Sequence, residues 1–564
     1  MPQDLITLKK IATRLSETIK GAKVNKVLQP DAFEIDLVLY QKSAFRLIIN
    51  THAKFARVSV SHAEKKNPEV APNFCMLLRK HLTGAEITSV DIVNDDRVIC
   101  ISFDNLNDFK ESVSLRLYAE IMGKYSNLFL VKDGKILGML RTLPQGLDGK
   151  RVTLVGAQYK FPDKSDKISI FDEGAKAVFT SISSDFSAKL LTSNFYDFAP
   201  VTATEIERLI LDASPCGYDG EKAYKTALSF ANLECDPVVI DDGIKADFYF
   251  TNYLSVFGER TKFSDILTAM ESVYERAEKS METANTIRSL NSYINAYKNK
   301  LLKKVSLLSD RISASQNLED YKLYGELITS QCYLIKKGQT EAVLTNYTSE
   351  GETLVKISLD ENLTPQQNAQ KYFKAYRKKK NTLSNSQAQL AEINGELEYL
   401  STIEYSISQA NSNSDYEEIK QELIMLGLVK EQKGRNKNKK DKPLGFIEYE
   451  IDGFPLLVGK NNLQNDKLLS LADRSDIWFH VKNYHSSHLI LKAGGKTIPS
   501  NVLKACAEIC AHYSQAKGGV KVEVDYTLRK FVKKQGGNRL GGVYYTDQQT
   551  IVVTPDKHEE LKKD

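Results

Sequence analysis

Nowhere does an apolar run approach the roughly 20 residues that a membrane helix needs, and the opening MPQDLITLKKIATRLSETIK has no uninterrupted apolar stretch behind a basic flank. These absences exclude a membrane-spanning chain and a visible secretory leader. Cysteine is sparse: Cys75, Cys100, Cys216, Cys235, Cys332, Cys506 and Cys510 include no CxxC pair. That argues against a disulfide scaffold, a zinc ribbon or a dithiol redox motif, and makes a reducing cytoplasm the expected location. Tryptophan occurs once, at Trp478. One sign of charge hardly dominates either. Lys plus Arg is 77 against 72 for Asp plus Glu, a net +5, so the distribution of charge matters more than its sum.

What is present is an ordinary globular balance of 42% apolar and 26% charged residues over 564 positions. At ~150 residues per domain this length predicts about four domains. Positive charge collects in three places. Lys371 to Lys380, KYFKAYRKKK, has six basic residues and no acid. Residues 431–443 carry Lys433, Arg435, Lys437, Lys439, Lys440 and Lys442 against Glu431 and Asp441, and read as a solvated linker at a domain boundary. Lys517 to Arg539 holds Lys517, Lys521, Arg529, Lys530, Lys533, Lys534 and Arg539 against Glu523 and Asp525. Such a run suits a polyanion with salt-dependent contacts to phosphate, or is simply a solvated face.

The first 160 residues predict an α/β domain: a helix over Asp4 to Lys20, strands at Phe33 to Leu39 and Phe45 to Ile49, a helix after Pro72, and strands at Val98 to Phe103 and Val113 to Tyr118. Short helices follow. NFYDFAPVTATEIERLI places a turn at Asp197 to Pro200 ahead of a helix from about Thr202, a layout that suits a helix-hairpin-helix, with Asp197 in a left-handed turn.

The middle has the clearest periodicity. Ile287, Leu290, Ile294, Tyr297, Leu301, Val305, Leu308 and Ile312 step by three and four, as do Leu390, Ile393, Leu397, Leu400, Ile403 and Ile407. The pattern predicts two arms of a long antiparallel coiled coil, with QCYLIKKG, EAVLTNY and ETLVKISLD as a small β-containing tip. A strut and a dimerising rod both fit it. After NSNSD a further helix is expected, with Ser414 as N-cap and Glu417 completing a capping box, ending near Gly427.

From 445 onward a compact C-terminal α/β unit is expected, with strands at Phe454 to Val458 and Ile477 to Val481, a helix from Ser500 to Lys517, and strands at Val520 to Val524 and Gly542 to Val553. DIWFHVKNYHSSHLIL gathers Trp478, His480, Lys482, His485 and His488. Three close histidines invite zinc, yet no cysteine or carboxylate is spaced to complete the set, so no metal and no other cofactor is expected. In a strand His480 shares a face with Trp478, and packing on the indole is the simpler role. Beside Arg529, Lys530, Lys533 and Lys534, the aromatic and imidazole groups also suit RNA stacking and phosphate contact.

DIWFHVKNYHSSHLIL and VGKNNLQND resemble the C-terminal RNA-binding module of NFACT proteins. NPEVAPNFCMLLRKHL, AEIMGKYSNLFLV, YGELITSQCYLI and LDENLTPQQNAQKYFKAY resemble that family's N-terminal and middle segments, in the family's order. The resemblance covers nearly the whole chain and points to the bacterial, RqcH-type branch, also labelled fibronectin-binding. The implied division is an N-terminal domain over 1–170, a helix-hairpin-helix region over 171–260, a coiled coil over 261–430 with an insert at about 318–365, the linker at 431–443 and the RNA-binding domain over 444–564. This chain departs from the family at Asn483 to His488, where Asp-x-Pro-Gly-Ser-His is common, and at KKQGGNRLGG, where a Lys-Pro-x-Gly loop is usual.

The resemblance implies a ribosome quality control factor. Such a protein binds the obstructed large (50S) subunit with peptidyl-tRNA and recruits tRNA, in the bacterial branch tRNA-Ala, to tail the stalled chain with alanine without mRNA. The ribosome performs peptide transfer, so no catalytic residue is expected. An RqcP-type small partner is implied as well. The family's Asp-Arg motif matches Asp96 and Arg97, and its Glu-Ile-Met motif matches Glu120, Ile121 and Met122; both are implicated in tRNA handling. From the residues alone, Asp96 and Arg97 also read as a surface ion pair, while Ile121 and Met122 suit packing.

Two rivals belong to other classes. The family's N-terminal domain is similar to that of formamidopyrimidine-type DNA glycosylases, and Pro2 could become a secondary-amine nucleophile. However, Gln3 stands where those enzymes place a catalytic Glu. The family label also suggests a fibronectin-binding surface adhesin, for which the sequence has no sorting signal or lipid anchor.

Overall fold

The computed structural model describes residues 3–106, 111–142, 151–163, 166–182, 186–215, 217–349, 351–430, 445–536 and 539–563. Pro2 and the linker 431–443 lie outside the described residues. Two compact units partition the chain, Met1–Met281 and Glu282–Asp564.

The first unit is built on one sheet. Helix α1 (Leu5–Ile19) precedes strands β1 (Lys23–Leu28), β2 (Glu34–Tyr40), β3 (Ala44–Asn50) and β4 (Arg57–Ser61); helix α2 (Asn73–Leu82) leads to β5 (Glu86–Ile92), β6 (Val98–Leu106), β7 (Ser112–Glu120), β8 (Asn127–Lys132) and β9 (Lys135–Met139). The order is β4-β3-β2-β1-β5-β6-β7-β8-β9. Every pairing is antiparallel, so the α/β expectation is corrected. The reason is local: most neighbours are joined by short hairpins such as Asp133-Gly134, both at positive φ, rather than by helical crossovers. The apolar stripe of α1 (Leu8, Ile11, Leu15) and that of α2 (Cys75, Leu78, Leu82) share one core with Leu37, Leu47, Ile101 and Leu117 of the sheet.

Helices α3 (Ala175–Ser181), α4 (Ala188–Asn194), α5 (Pro200–Ala213) and α6 (Gly220–Ala231) follow, then the small sheet of β10 (Val238–Asp241), β11 (Ala246–Tyr249) and β12 (Glu259–Lys262). α5 starts at Pro200, two residues before the expected Thr202, because proline loses no hydrogen bond in a first turn. Asp197 is not in a left-handed turn. It is buried, and its carboxylate accepts hydrogen bonds from Ile170 N (2.7 Å) and Ser169 Oγ (3.2 Å). Asp4 caps two helices at once. Its Oδ1 accepts from Thr7 N at the start of α1 (3.0 Å), and its Oδ2 accepts from Ala199 N (3.1 Å) and Thr202 Oγ1 (2.5 Å) at the start of α5. The anion-attracting end of α5 is therefore filled from within the protein.

Helix α7 (Ile266–Ser313) begins in the first unit, where Ile266, Met270 and Tyr274 enter the core. Its first turns are fastened by charge. Arg57, fully buried, pairs with Glu271 (3.1 Å) and Glu278 (2.5 Å), and Lys65 bridges Glu278 and Glu34 (both 2.7 Å). Burial works against the Arg57 charge, but the two carboxylates outweigh it and hold the guanidinium above its ordinary range.

In the second unit α7 continues beside α9 (Pro365–Gln409), after α8 (Leu318–Ser330) and the hairpin β13 (Glu341–Thr348) and β14 (Gly351–Ser358). Leu290, Ile294, Leu301 and Leu308 share an apolar seam with Ile393, Leu400, Ile403 and Ile407. Lys379 Nζ reaches Ala314 O and Lys298 Nζ reaches Glu404, so the two long helices run in opposite directions. The hairpin packs Leu344 and Ile357 against Leu327, Ile328 and Ala369. Helix α10 (Asn413–Met425) closes the seam with Tyr416, Ile419 and Leu423. Its N-cap is Ser412, not Ser414. Asp415, with both oxygens engaged, accepts from the Ser412 and Asn411 amides and completes the capping box two residues earlier than expected.

The C-terminal module is a six-stranded antiparallel sheet in the order β15 (Ile447–Ile451), β16 (Phe454–Val458), β18 (Leu489–Leu491), β17 (Ile477–Val481), β19 (Val522–Leu528), β22 (Gln549–Val553); β20 (Val532–Lys534) pairs separately with β21 (Val543–Tyr545). Helix α12 (Ser500–His512) packs Val502, Cys506, Ile509 and Cys510 on one face, against Phe479 and Val481. It ends five residues before the expected Lys517. Helix α11 (Asn462–Leu471) covers the other face, where Leu468 and Leu469 meet Trp478 and Ile490. Alternation along β17 thus sends Trp478 and His480 to the α11 side.

Candidate nucleic-acid interfaces

The turn from β5 to β6 runs through Asn94 and Asp95, both at positive φ, and delivers Asp96 and Arg97 to its outer side. Asp96 Oδ1 accepts the Arg97 backbone N–H (2.7 Å) rather than its guanidinium. Arg97 is exposed, and its side chain has no ion pair or hydrogen bond among the described residues. The backbone ties this turn to the second motif, since Ile121 N donates to Arg97 O at 2.8 Å and Val98 sits opposite Glu120 in the ladder. Arg97, Asp96, Asp95 and Met122 line a cleft of about 550 Å³ together with Lys167 and Tyr196.

The structure divides the motif residues into those that face the cleft and those that build it. Glu120 is buried, and Arg151 forks to it (Nη1–Oε2 3.0 Å, Nη2–Oε1 2.5 Å) while Tyr159 OH donates to Oε1 at 2.8 Å. Tyr159 stacks on Tyr118 at 4.3 Å between ring centroids, and Arg151 lies over the Tyr159 ring. Glu120 and Ile121 are both buried beneath the turn that carries Asp96 and Arg97, a supporting position that for Ile121 is the packing place expected of it. Met122 is half-buried at the cleft wall, with its amide donating to Ser126 Oγ. Gln3, at the position of the glycosylase Glu, donates to Tyr274 OH (2.6 Å) inside the core.

In the C-terminal module the expected stacking surface turns inward. Trp478 is 0% exposed, and it packs on His480 (5.5 Å, near-parallel), His488 (5.4 Å, edge-on) and Tyr545 (4.8 Å). Trp478 and His488 are core residues and are withdrawn from the stacking role; His480 is half-buried beneath the indole. Arg529 is a clamp, donating to Leu469 O (2.8 Å) and Val532 O (2.8 Å). Lys530 and Lys533 are exposed, while Lys534 pairs with Asp466 (2.7 Å) and Lys482 with Glu523 (3.1 Å). His485 leaves the histidine cluster and bonds Ser401 Oγ through Nε2 (2.8 Å).

Sequence reasoning missed a buried polar seam within the second unit. Tyr399 OH donates to Glu422 Oε1 (2.6 Å) and accepts from Leu540 N (3.0 Å); Asn462 Nδ2 donates to Glu422 Oε1 and Thr402 Oγ1 (both 2.8 Å). Asn461 and Gln464 both donate to Glu418. Burial pushes the Glu422 carboxyl up to about 7, against the pull of its Tyr399 and Asn462 hydrogen bonds. Gly395 is the other half of this joint: a Cβ there would lie 2.7 Å from Arg539 Nη2, so a bare helix surface lets the guanidinium lie against α9. The only local hints were a glycine inside a long helix and asparagines in VGKNNLQND.

A chain with this arrangement of sheet, long paired helices and basic C-terminal sheet belongs to the NFACT family. The family's NFACT N-terminal and middle domains match residues 4–442, and its NFACT protein RNA binding domain matches residues 442–542. The chain is similar to the Rqc2 homolog RqcH of Bacillus subtilis (strain 168), 30% identical over 563 residues and 97% of each chain, and to the Rqc2 homolog RqcH of Streptococcus pneumoniae serotype 2, 30% identical over 576 residues and the whole of both. Among solved structures, the N-terminal part of a fibronectin/fibrinogen-binding protein from Streptococcus suis matches 49% of this chain and 99% of that one, at 23% identity and a TM-score of 0.43. No helix among the described residues is long and apolar enough to cross a membrane.

Proposed function

We propose that this protein is a ribosome quality control factor, acting in the cytoplasm, that binds obstructed large (50S) subunits carrying peptidyl-tRNA and recruits tRNA, chiefly tRNA-Ala, for mRNA-independent alanine tailing of the stalled chain. Family membership over the whole chain supports the process. The observation that carries the tRNA role is the cleft at Asp96, Arg97 and Met122, where an unpaired guanidinium stands on a rigid frame; arginine can fork to phosphate or stack on a base. The protein itself transfers no peptide bond in this reading.

The paired long helices serve as a coiled-coil strut. The 48 residues of α7 span about 72 Å at ~1.5 Å per residue, far more than a core needs. Domain limits at 170, 260, 430 and 443 and a helix-hairpin-helix over α4 and α5 belong to the same proposal, as does an RqcP-type partner. Exposed Lys530 and Lys533 contact rRNA or tRNA backbone. Sedimentation of a lysate tests the reading. The protein is expected with free large subunits, released by raised salt, and tRNA-Ala is expected in the recovered RNA. Equal distribution over intact ribosomes and free subunits counts against it, and cleavage of the protein by trypsin added to intact cells would favour the adhesin.

A further inference from the structure

Within the second unit, a polar cavity of about 630 Å³ lies between α9 and the loops of the C-terminal sheet. Tyr405, Asn465, His480, Ser487 and His488 are among the residues that line it. Two of its buried polar atoms, Tyr405 OH and His488 Nδ1, have no hydrogen-bond partner among the described residues. A buried unsatisfied group costs about 1–3 kcal/mol, so a polar occupant that reached either atom would be favoured. The volume falls within the roughly 300–1,000 Å³ of small-ligand sites.

The chemistry of the walls narrows the occupant. Burial pushes His480 down to about 4, and burial with the neighbouring His480 pushes His488 well below its usual range. Both imidazoles are neutral at pH 7. Each then offers one donor and one acceptor and no charge, which suits the edge of an uncharged heterocycle and not a phosphate. At the rim, Tyr484 and Tyr544 expose their rings, and Arg539 has no ion pair among the described residues, its Nη2 reaching only Glu392 O at 3.4 Å. Lys460 is already held by Asp415.

We propose that this cavity takes one unstacked nucleotide, its base against His480 and His488, its flanking face on a rim tyrosine, and its phosphate at Arg539. The proposal rests on the RNA-binding reading above and names a site for it. A nucleotide within single-stranded RNA and a free nucleotide share this chemistry.

The test uses the full chain and a fluorescent ten-nucleotide single-stranded RNA of mixed sequence, with a duplex of the same length and adenosine 5′-monophosphate as second and third probes. The double variant Tyr484→Ala, Tyr544→Ala removes two exposed rings and one surface hydrogen bond, from Gln535 Nε2 to Tyr544 OH (3.0 Å). It is expected to bind the single strand about tenfold more weakly or worse, as loss of base stacking requires, and the duplex unchanged. Crosslinks from 4-thiouridine in the strand are expected on residues 484–488 or 544–545. Competition by the monophosphate assigns the site to free nucleotide, and its failure to compete assigns it to the strand. Undiminished single-strand binding by the variant, with crosslinks confined to the lysines of 517–534, overturns the cavity while leaving RNA binding intact. Failure of the unaltered chain to bind either RNA overturns both.

Discussion

Arg97 stands exposed above a buried frame in the first unit, whereas Trp478 in the second is part of the frame itself. Both lie in motifs by which the family is recognised, yet one motif presents a side chain to solvent and the other hides its largest. The difference lies beneath them. Under Arg97, the charge of Glu120 is balanced by Arg151 and its Oε1 also accepts from Tyr159 OH, so the turn above is held without using Arg97. Around Trp478, the indole itself fills the space between α11 and the sheet. A motif residue can therefore serve the fold as well as a ligand.

The largest effect that could break this comparison is expected at Glu120. Glu120→Ala leaves the Arg151 guanidinium without its carboxylate in a largely buried setting, a loss of about 3–5 kcal/mol. Urea unfolding of the full chain should show the first unit's transition moving to lower denaturant, and tRNA recovery should fall with it. A stable variant with normal tRNA recovery would show that the frame under Arg97 is dispensable.

Glu422 sharpens the same comparison in the second unit. Its carboxyl rises from about 4.5 to about 7 on folding, so the folded state binds the proton more tightly. Stability is greatest below pH 4.5 for this group, declines as pH rises through 7, and is flat above. The decline amounts to about 3 kcal/mol. Glu422→Gln should abolish that slope in thermal scans between pH 5 and 8 (a range of about three units around the folded value), and a slope that survives belongs to another group.

Asp96→Ala with Arg97→Ala should separate folding from function. Two polar side chains on an exposed turn are worth under ~1 kcal/mol of stability, while a lost arginine contact to nucleic acid costs roughly 1–3 kcal/mol of affinity. The variant should melt normally and keep much of its large-subunit association but recover little tRNA and make few tails. Normal tailing would reduce the pair to a surface turn.

The smallest effect is expected at Gly395. An added Cβ meets the far end of a flexible side chain, Arg539, and alanine is the better helix former by about 1 kcal/mol. Gly395→Ala should leave the melting temperature within a few degrees while displacing the Arg539 guanidinium, readable as weaker single-strand RNA binding at constant stability. A large destabilisation would mean that Arg539 holds the joint.

Hydrophobic periodicity was legible along much of the chain. The strands Phe454–Val458 and Ile477–Val481 and the leucine and isoleucine steps of α7 and α9 follow directly from periods of two and three to four. Sheet direction was not legible, because alternation says which face is buried and nothing about which neighbour pairs. Nor was the side to which Trp478 turns: a period of two separates it from Phe479, but only α11, arriving from outside the strand, decides that the tryptophan face is also covered. The seam of Tyr399, Glu422 and Asn462 joins residues 23 to 63 positions apart in sequence, and no local pattern records such a meeting. Ser412 took the cap from Ser414 for a similar reason, since the deciding group is the buried carboxylate of Asp415.

The double cap made by Asp4 sets an order of events during synthesis. α1 leaves the ribosome well before α5, so the second half of its cap, Ala199 N and Thr202 Oγ1, is added nearly 200 residues later. At about 5–20 residues per second this is roughly 10–40 s of translation, and Tyr274, the partner of Gln3, comes later still. During that interval the apolar stripe of α1 has part of the sheet to cover it but no lock. The segment that carries α1 is therefore locked in place only when α7 has begun to emerge.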